Sequence, residues 1–213
     1  MMMRFIAIPV CTLSLVLASQ TLAQEAPAAT TALKQAMAFD AYAGCIVARD
    51  RSTADLLVLE SRYSGQIGPL VKKLFPTMKG CLKSKDQALL RISPFLLRGA
   101  LARALLDDNV PASRAYVVPS DADVAGPSGE RASMERFVLQ FSQCLIKAEP
   151  EASRDFVRAL GGSPEERDAF ARLAPATESC VRETPSEVKL TAEPLRTGLA
   201  IALYGQTAGD RVN

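Results

Sequence analysis

The sequence predicts an all-α protein: two tandem helical repeats, each closed by one disulfide, packed as a pseudo-symmetric bundle. Three observations carry this expectation. Cysteines recur 36 positions apart in both halves, a matched register of residues runs through both halves, and apolar residues fall at helical spacing.

Cys45 and Cys81 are 36 positions apart, as are Cys144 and Cys180, so the chain can be laid on itself at a shift of 99. Val58 then meets Val157, Ser64 meets Ser163, Leu74 meets Leu173 and Pro76 meets Pro175, with Tyr42 on Phe141 and Lys83 on Arg182. At a shift of 98, Leu97, Arg98, Leu101, Ala102, Ala104 and Leu105 meet Leu195, Arg196, Leu199, Ala200, Ala202 and Leu203. Four cysteines allow three connectivities. The repeat selects Cys45 with Cys81 and Cys144 with Cys180, each joining the first helix of a unit to its third. Loop-closure entropy makes each such bridge worth about 4 kcal/mol. Metal ligation would need closely spaced soft ligands or histidines, and these cysteines are far apart in a chain with no histidine.

The first element is a signal peptide. Arg4 supplies the positive start, an apolar run extends from Phe5 to Ala18, and Ser19, Gln20, Thr21, Leu22 and Ala23 supply the small and polar end, with cleavage expected after Ala23. The run is shorter than the roughly 20 residues a membrane span needs. Cys11 leaves with it, because Val10 is not the small residue a lipidated cysteine follows. The expected destination is the periplasm or the exterior, where thiols pair. Removing the first 23 of 213 residues leaves 190, one ordinary domain or two small ones, with no transmembrane segment expected in the mature chain.

Alanine-rich residues 24–30 read as a flexible leader. Repeat 1 covers 31–106. Its first helix runs from about Thr31 to Ala48, Ser52 with Asp55 reads as a capping box, and Ser93 before Pro94 starts a last helix from Phe95 to Leu106. Residues 107–130 contain Pro111, Pro119, Pro127, Gly126 and Gly129 and read as a linker. Repeat 2 covers 131–205. Met134, Phe137, Val138, Phe141, Cys144, Leu145 and Ala148 lie on one helix face, Ser163 with Pro164 and Glu166 caps a further helix, and Gly205 follows a last helix from Leu195 to Tyr204. Residues 206–213 form a tail. The last helix of each repeat is apolar nearly all round, so both are expected at the centre.

An aromatic residue three positions before a cysteine, in Tyr42 and Phe141, and the closing runs LRGALARALL and LRTGLAIALY resemble those of uncharacterised exported proteins of Gram-negative bacteria. The resemblance covers residues 37–204. It rests on structural motifs and implies no activity.

With no histidine, Ser-His-Asp, Cys-His, histidine-metal and haem-ligating arrangements are excluded. Ser84 beside Lys85 is an adjacent pair in a polar stretch and reads as a solvated turn. Glu149 with Glu151, Glu165 with Glu166, and Asp107 with Asp108 are the paired carboxylates; the first two pairs flank helix starts, where negative charge meets the helix dipole. Asp121, Asp123 and Gly126 match part of a calcium loop, but Ala125 and Ala132 stand where ligands belong. There is no Walker loop and no dinucleotide fingerprint, and no cofactor is expected.

The chain has 25 basic and 23 acidic residues, a balance that implies no nucleic-acid partner. The halves differ: residues 37–106 hold 11 basic and 5 acidic groups, residues 134–204 hold 9 and 11. Lys72, Lys73, Lys79, Lys83 and Lys85 cluster around Cys81 as a candidate anion-binding surface, against the plainer reading of a solvated face or one docked on the acidic half. Arg98 and Arg196, equivalent in the two repeats, read as buried structural pins, with a shared pocket as the alternative. The functional expectation is a non-enzymatic interaction or accessory protein of the cell envelope, its partner an unknown protein or envelope component. The alternative is a small-molecule or lipid binder with a pocket between the repeats. No oligomeric state follows from the sequence.

Overall fold

The computed structural model describes residues 25–61, 63, 66–82, 93–181 and 190–208, and every regular element within them is helical. In chain order these are α1 (Glu25–Arg49), α2 (Arg51–Leu59), α3 (Ile67–Cys81), α4 (Pro94–Asp107), α5 (Asp121–Ala125), α6 (Gly129–Ala148), α7 (Pro150–Arg158), α8 (Pro164–Cys180) and α9 (Ala192–Gln206). None is long and apolar enough to cross a membrane. The expected signal peptide and the Ser84, Lys85 pair lie outside the described residues, as do Lys83 and positions 209–213 of the tail.

Helix starts follow local chemistry, with corrections. The stretch expected as a loose leader is helical from Glu25. Alanine has the highest helix propensity, and Pro27 falls in the first turn, where its missing N–H bonds nothing anyway. Asp50, not Ser52, caps α2: its Oδ1 accepts from the Thr53 amide at 3.2 Å. Only Asp50 separates α1 from α2, and the Asp50 amide already donates to the Ile46 carbonyl, so the second helix must begin at once. Asp55 is released from capping and is buried. Ser163 does cap α8, accepting from the Glu166 amide at 3.1 Å, while the Glu166 carboxylate reaches the Gly162 amide instead of the Ser163 amide a capping box requires.

The linker is not irregular throughout. Ser120 and Asp123 form a complete capping box that starts α5, so the residues resembling a calcium loop instead cap a helix, and Asp121 pairs with Arg136. The rest is bonded to both halves. Val117 donates to the Leu59 carbonyl, Ser113 donates to Asp55, and Ala112 donates to the Thr207 hydroxyl. These acceptors are far away in sequence, which is why proline and glycine content alone suggests a free connection.

The most extensive helix pair is α4 with α9, flanked by α1 on α4 and α6 on α9. Glycine makes it: a Cβ on Gly99 would lie 2.7 Å from the Thr197 Cα, and one on Gly198 would lie 2.5 Å from the Ser142 hydroxyl and 3.1 Å from the Val138 carbonyl oxygen. Backbones therefore approach without intervening side chains. Leu101, Leu105, Leu199, Ile201 and Tyr204 fill the surrounding core. Within each half the same helix pairs meet: α1 with α4 and α6 with α9, α2 with α3 and α7 with α8, α1 with α3 and α6 with α8. Disulfides close Cys45 to Cys81 and Cys144 to Cys180, first helix to third in each half. Each ties down a helix carrying an internal proline, Pro76 in α3 and Pro175 in α8, five residues before its cysteine.

Arg98 and Arg196 are buried and paired. Arg98 is fully enclosed; its Nε and Nη2 donate to the Val58 carbonyl at 3.2 and 3.0 Å, and its Nη1 donates to Glu135 of α6. Arg196 donates to the Phe156 carbonyl, to Glu166 and, at 3.1 Å, to Glu193. The first pin crosses between the halves and the second stays within its own. Part of the charge difference between halves thus falls on their boundary, where Arg98 meets Glu135 and Arg103 lies 3.8 Å from Glu193.

Two stability outcomes follow. Alanine is normally favoured over glycine in a helix by about 1 kcal/mol, and Gly44→Ala, with nothing within 4 Å of its new Cβ, should gain up to that amount. Gly99→Ala should instead lose about 1–3 kcal/mol through overpacking; equal urea midpoints for the two variants would contradict the close approach. Arg98→Leu should lose about 3–5 kcal/mol by stranding the Glu135 charge, and adding Glu135→Leu should recover part of it. A double variant no more stable than Arg98→Leu would show that the ion pair is not the cause.

Candidate functional site

α4 ends by a left-handed residue. Asn109 has φ of 52°, its amide donates to the Leu106 carbonyl, and the Val110 amide donates to the Leu105 carbonyl. Asparagine tolerates this conformation better than most residues, so it serves where glycine usually terminates a helix. The turn sends Val110 and Pro111 away from the α4 axis, toward the end of α9. Facing them is α7. Between these elements lies a cleft of about 480 Å³, at the boundary of the two halves, within the size range of small-molecule sites. Leu106, Val110, Val157 and Leu203 supply its apolar wall; Arg103, Asp107, Arg154 and Arg158 supply its charge.

A second cleft of about 320 Å³ adjoins it and shares Arg103, Asp107, Val157 and Arg158, adding Asp40, Asp108 and small residues of α1 and α4. The two differ in charge. The larger carries three guanidiniums and one carboxylate; the smaller carries two guanidiniums and three carboxylates.

Arg103 is nine-tenths buried; its Nη2 donates to Asp40, while Nη1 has no hydrogen-bond partner and lies 3.8 Å from a Glu193 oxygen. Arg154 and Arg158 are exposed and make no hydrogen bond or ion pair among the described residues. Asp107 has its carboxyl pushed above the ordinary range, first by loss of water at the cleft wall and then by the Asp40 charge, against the opposing pull of Arg158 and Arg103. Asp108, its neighbour in the sequence, instead pairs with Arg51 on the surface.

Other sequence candidates lie elsewhere. Lys72, Lys73 and Lys79 are exposed on α3, with the Lys79 ammonium 5.9 Å from the Phe75 ring centroid; Lys83 and Lys85 lie outside the described residues. Glu166 is taken up by Arg196 and the Gly162 amide, and Glu165 is held below the usual range by hydrogen bonds at the α8 start. The structure does not bring Lys72, Lys73, Lys79, Glu165 or Glu166 to the cleft. Among the described residues no group of three or more Cys, Asp or Glu is placed to hold a metal ion.

The cleft residues escaped sequence reading for identifiable reasons. In the sequence Asp107 stands out only as the neighbour of Asp108. Arg154 and Arg158 stand four apart on a helix face, a spacing visible in the sequence, but nothing local says that Arg103 lies across from them.

Because the folded state holds Asp107 above its unfolded value, it binds more protons than the unfolded chain in the window just above the ordinary carboxylate range, and stability contributed by this group falls as pH rises through it. Asp107→Asn should therefore raise the thermal midpoint slightly at neutral pH and leave it unchanged near pH 3, about one unit below a free carboxylate's pKa. A shift of equal size at both pH values would contradict the assignment.

Set against known proteins, the chain matches no family model, no curated protein and no solved structure.

Proposed function

We propose that this chain is an exported accessory protein of the cell envelope that binds a small molecule in the cleft between its halves, without turning it over. The observation that carries the reading is the cleft itself: a cavity at the boundary of the halves with one apolar wall and a group of convergent charges. Two disulfides fit an oxidising compartment, periplasmic or extracellular, and the amino-terminal run ending at Ala23 supports export by a cleaved signal. The absence of histidine in the sequence supports binding in preference to the commonest forms of catalysis. The matching order of helix pairs in α1–α4 and α6–α9 supports a duplicated origin, in which the cleft arises where two like units meet.

A second reading rests on α3. Lys72, Lys73 and Lys79 stand exposed there beside Phe75, itself 48% exposed, a basic and aromatic face suited to an acidic envelope partner.

The deciding measurement is native mass spectrometry of the oxidised protein purified from its own envelope extract, with Val110→Trp as the cleft-filling variant. A retained small molecule that the variant loses, with unchanged thermal unfolding, is the expected result. A co-purifying protein with no small molecule, insensitive to Val110→Trp and lost on changing Lys72, Lys73 and Lys79 to glutamate, would overturn the cleft reading in favour of α3.

A further inference from the structure

We infer that the larger cleft takes a small organic anion with an apolar body, its carboxylate or phosphate head held by Arg154 and Arg158 over Arg103. The inference rests on the cleft reading above and adds the chemical class of the ligand.

Three features of the charge arrangement point to an anion. The larger cleft holds three guanidiniums against the single carboxylate of Asp107. Arg154 and Arg158 lie four residues apart on α7, a spacing that puts their like charges side by side and disfavours the helix, and neither is relieved by a hydrogen bond or ion pair among the described residues. An oxyanion between them removes that repulsion, and guanidiniums match carboxylate and phosphate oxygens in a bidentate way that few other groups do.

Arg103 adds an independent observation. It is 9% exposed, and its Nη1 donates to nothing among the described residues, although buried donors are nearly always satisfied. Its ion-pair partners, Asp40 and Glu193, account for Nη2 and for charge, not for a hydrogen bond from Nη1. Arg98 and Arg196, buried to a similar degree, have every charged neighbour within hydrogen-bond reach. Among these three, Arg103 is the one with donor capacity left, and it is the one that lines the cleft.

The apolar wall sets the rest of the ligand. Leu106, Val110, Val157 and Leu203 would be left against water by a bare inorganic anion, and an alkyl body of several carbons removes that apolar surface from water. The adjoining smaller cleft, with Asp40, Asp107 and Asp108, repels the head and leaves it one orientation, toward α7.

The test is titration calorimetry of the oxidised chain with octanoate, octyl phosphate and octanol. At least one of the two anions should bind ten times or more tightly than octanol, and which one does so distinguishes a carboxylate from a phosphate head. The exposed double variant Arg154→Gln, Arg158→Gln should lose that tenfold preference, keep its octanol affinity and keep its thermal midpoint. Octanol binding as well as both anions, or an anion preference untouched by the double variant, overturns the inference while leaving the cleft as a ligand site; Val110→Trp then abolishes binding of all three probes. Failure of all three to bind also overturns it, and the cleft reading is then decided separately by the native molecule retained in mass spectrometry.

Discussion

α4 lies directly against α9 because Gly99 presents no side chain to the Thr197 backbone, and most of the remaining structure is positioned by that contact. With α4 fixed, the preceding residue, Arg98, is driven into the interior, where it must find acceptors; it finds the Val58 carbonyl at the end of α2 and the Glu135 carboxylate on α6. With α9 fixed, Gly198 comes against α6 in turn. A bulkier residue at either glycine would push apart the helices from which the buried hydrogen bonds are made. Close packing and charge satisfaction are therefore coupled, and the core depends on both.

The same seam generates the cleft. Five residues after Arg98, Arg103 leaves the interior half-satisfied, and the left-handed Asn109 then turns the chain away before the space between α4 and α7 is filled. α9 closes the far side through Leu203 and the Thr207 that follows it, and Thr207 itself accepts from the Ala112 amide of the connecting segment. The segment between the halves thus forms one rim of the cavity while holding both halves together. The arginines divide accordingly: Arg98 and Arg196 have their partners and hold the fold, whereas Arg154 and Arg158 make no hydrogen bond or ion pair among the described residues where the cavity opens.

The disulfides act on a different part of the problem. α3 and α8 contact fewer neighbours than the central helices and each contains a proline that removes one helical hydrogen bond. A bridge from the end of each to the first helix of its half limits how far that helix can separate, and it shrinks the unfolded ensemble by closing a loop of 36 positions. Both helices lie outside the central α4–α9 pair, and a covalent tie has most effect where fewer neighbouring helices hold an element.

Much of this was legible residue by residue. Helical periodicity, Ser163 and Ser93 before their prolines, and the apolar runs of α4 and α9 depend on interactions within a few residues or on burial all round, and both leave a local pattern in sequence. Where the reading erred, the deciding interaction was distant or competitive: Asp55 was drawn from a cap to the Tyr204 hydroxyl 149 positions away, and the connecting segment was bonded to residues 58 and 95 positions off. By itself the sequence determined an all-helical chain with matched cysteine spacings and buried Arg98 and Arg196. Only the tertiary structure decided that Arg103, Arg154 and Arg158 share one cavity, because their proximity comes from α4 and α7 both packing on α9 and from the turn at Asn109, and neither is encoded in the neighbours of those arginines along the chain.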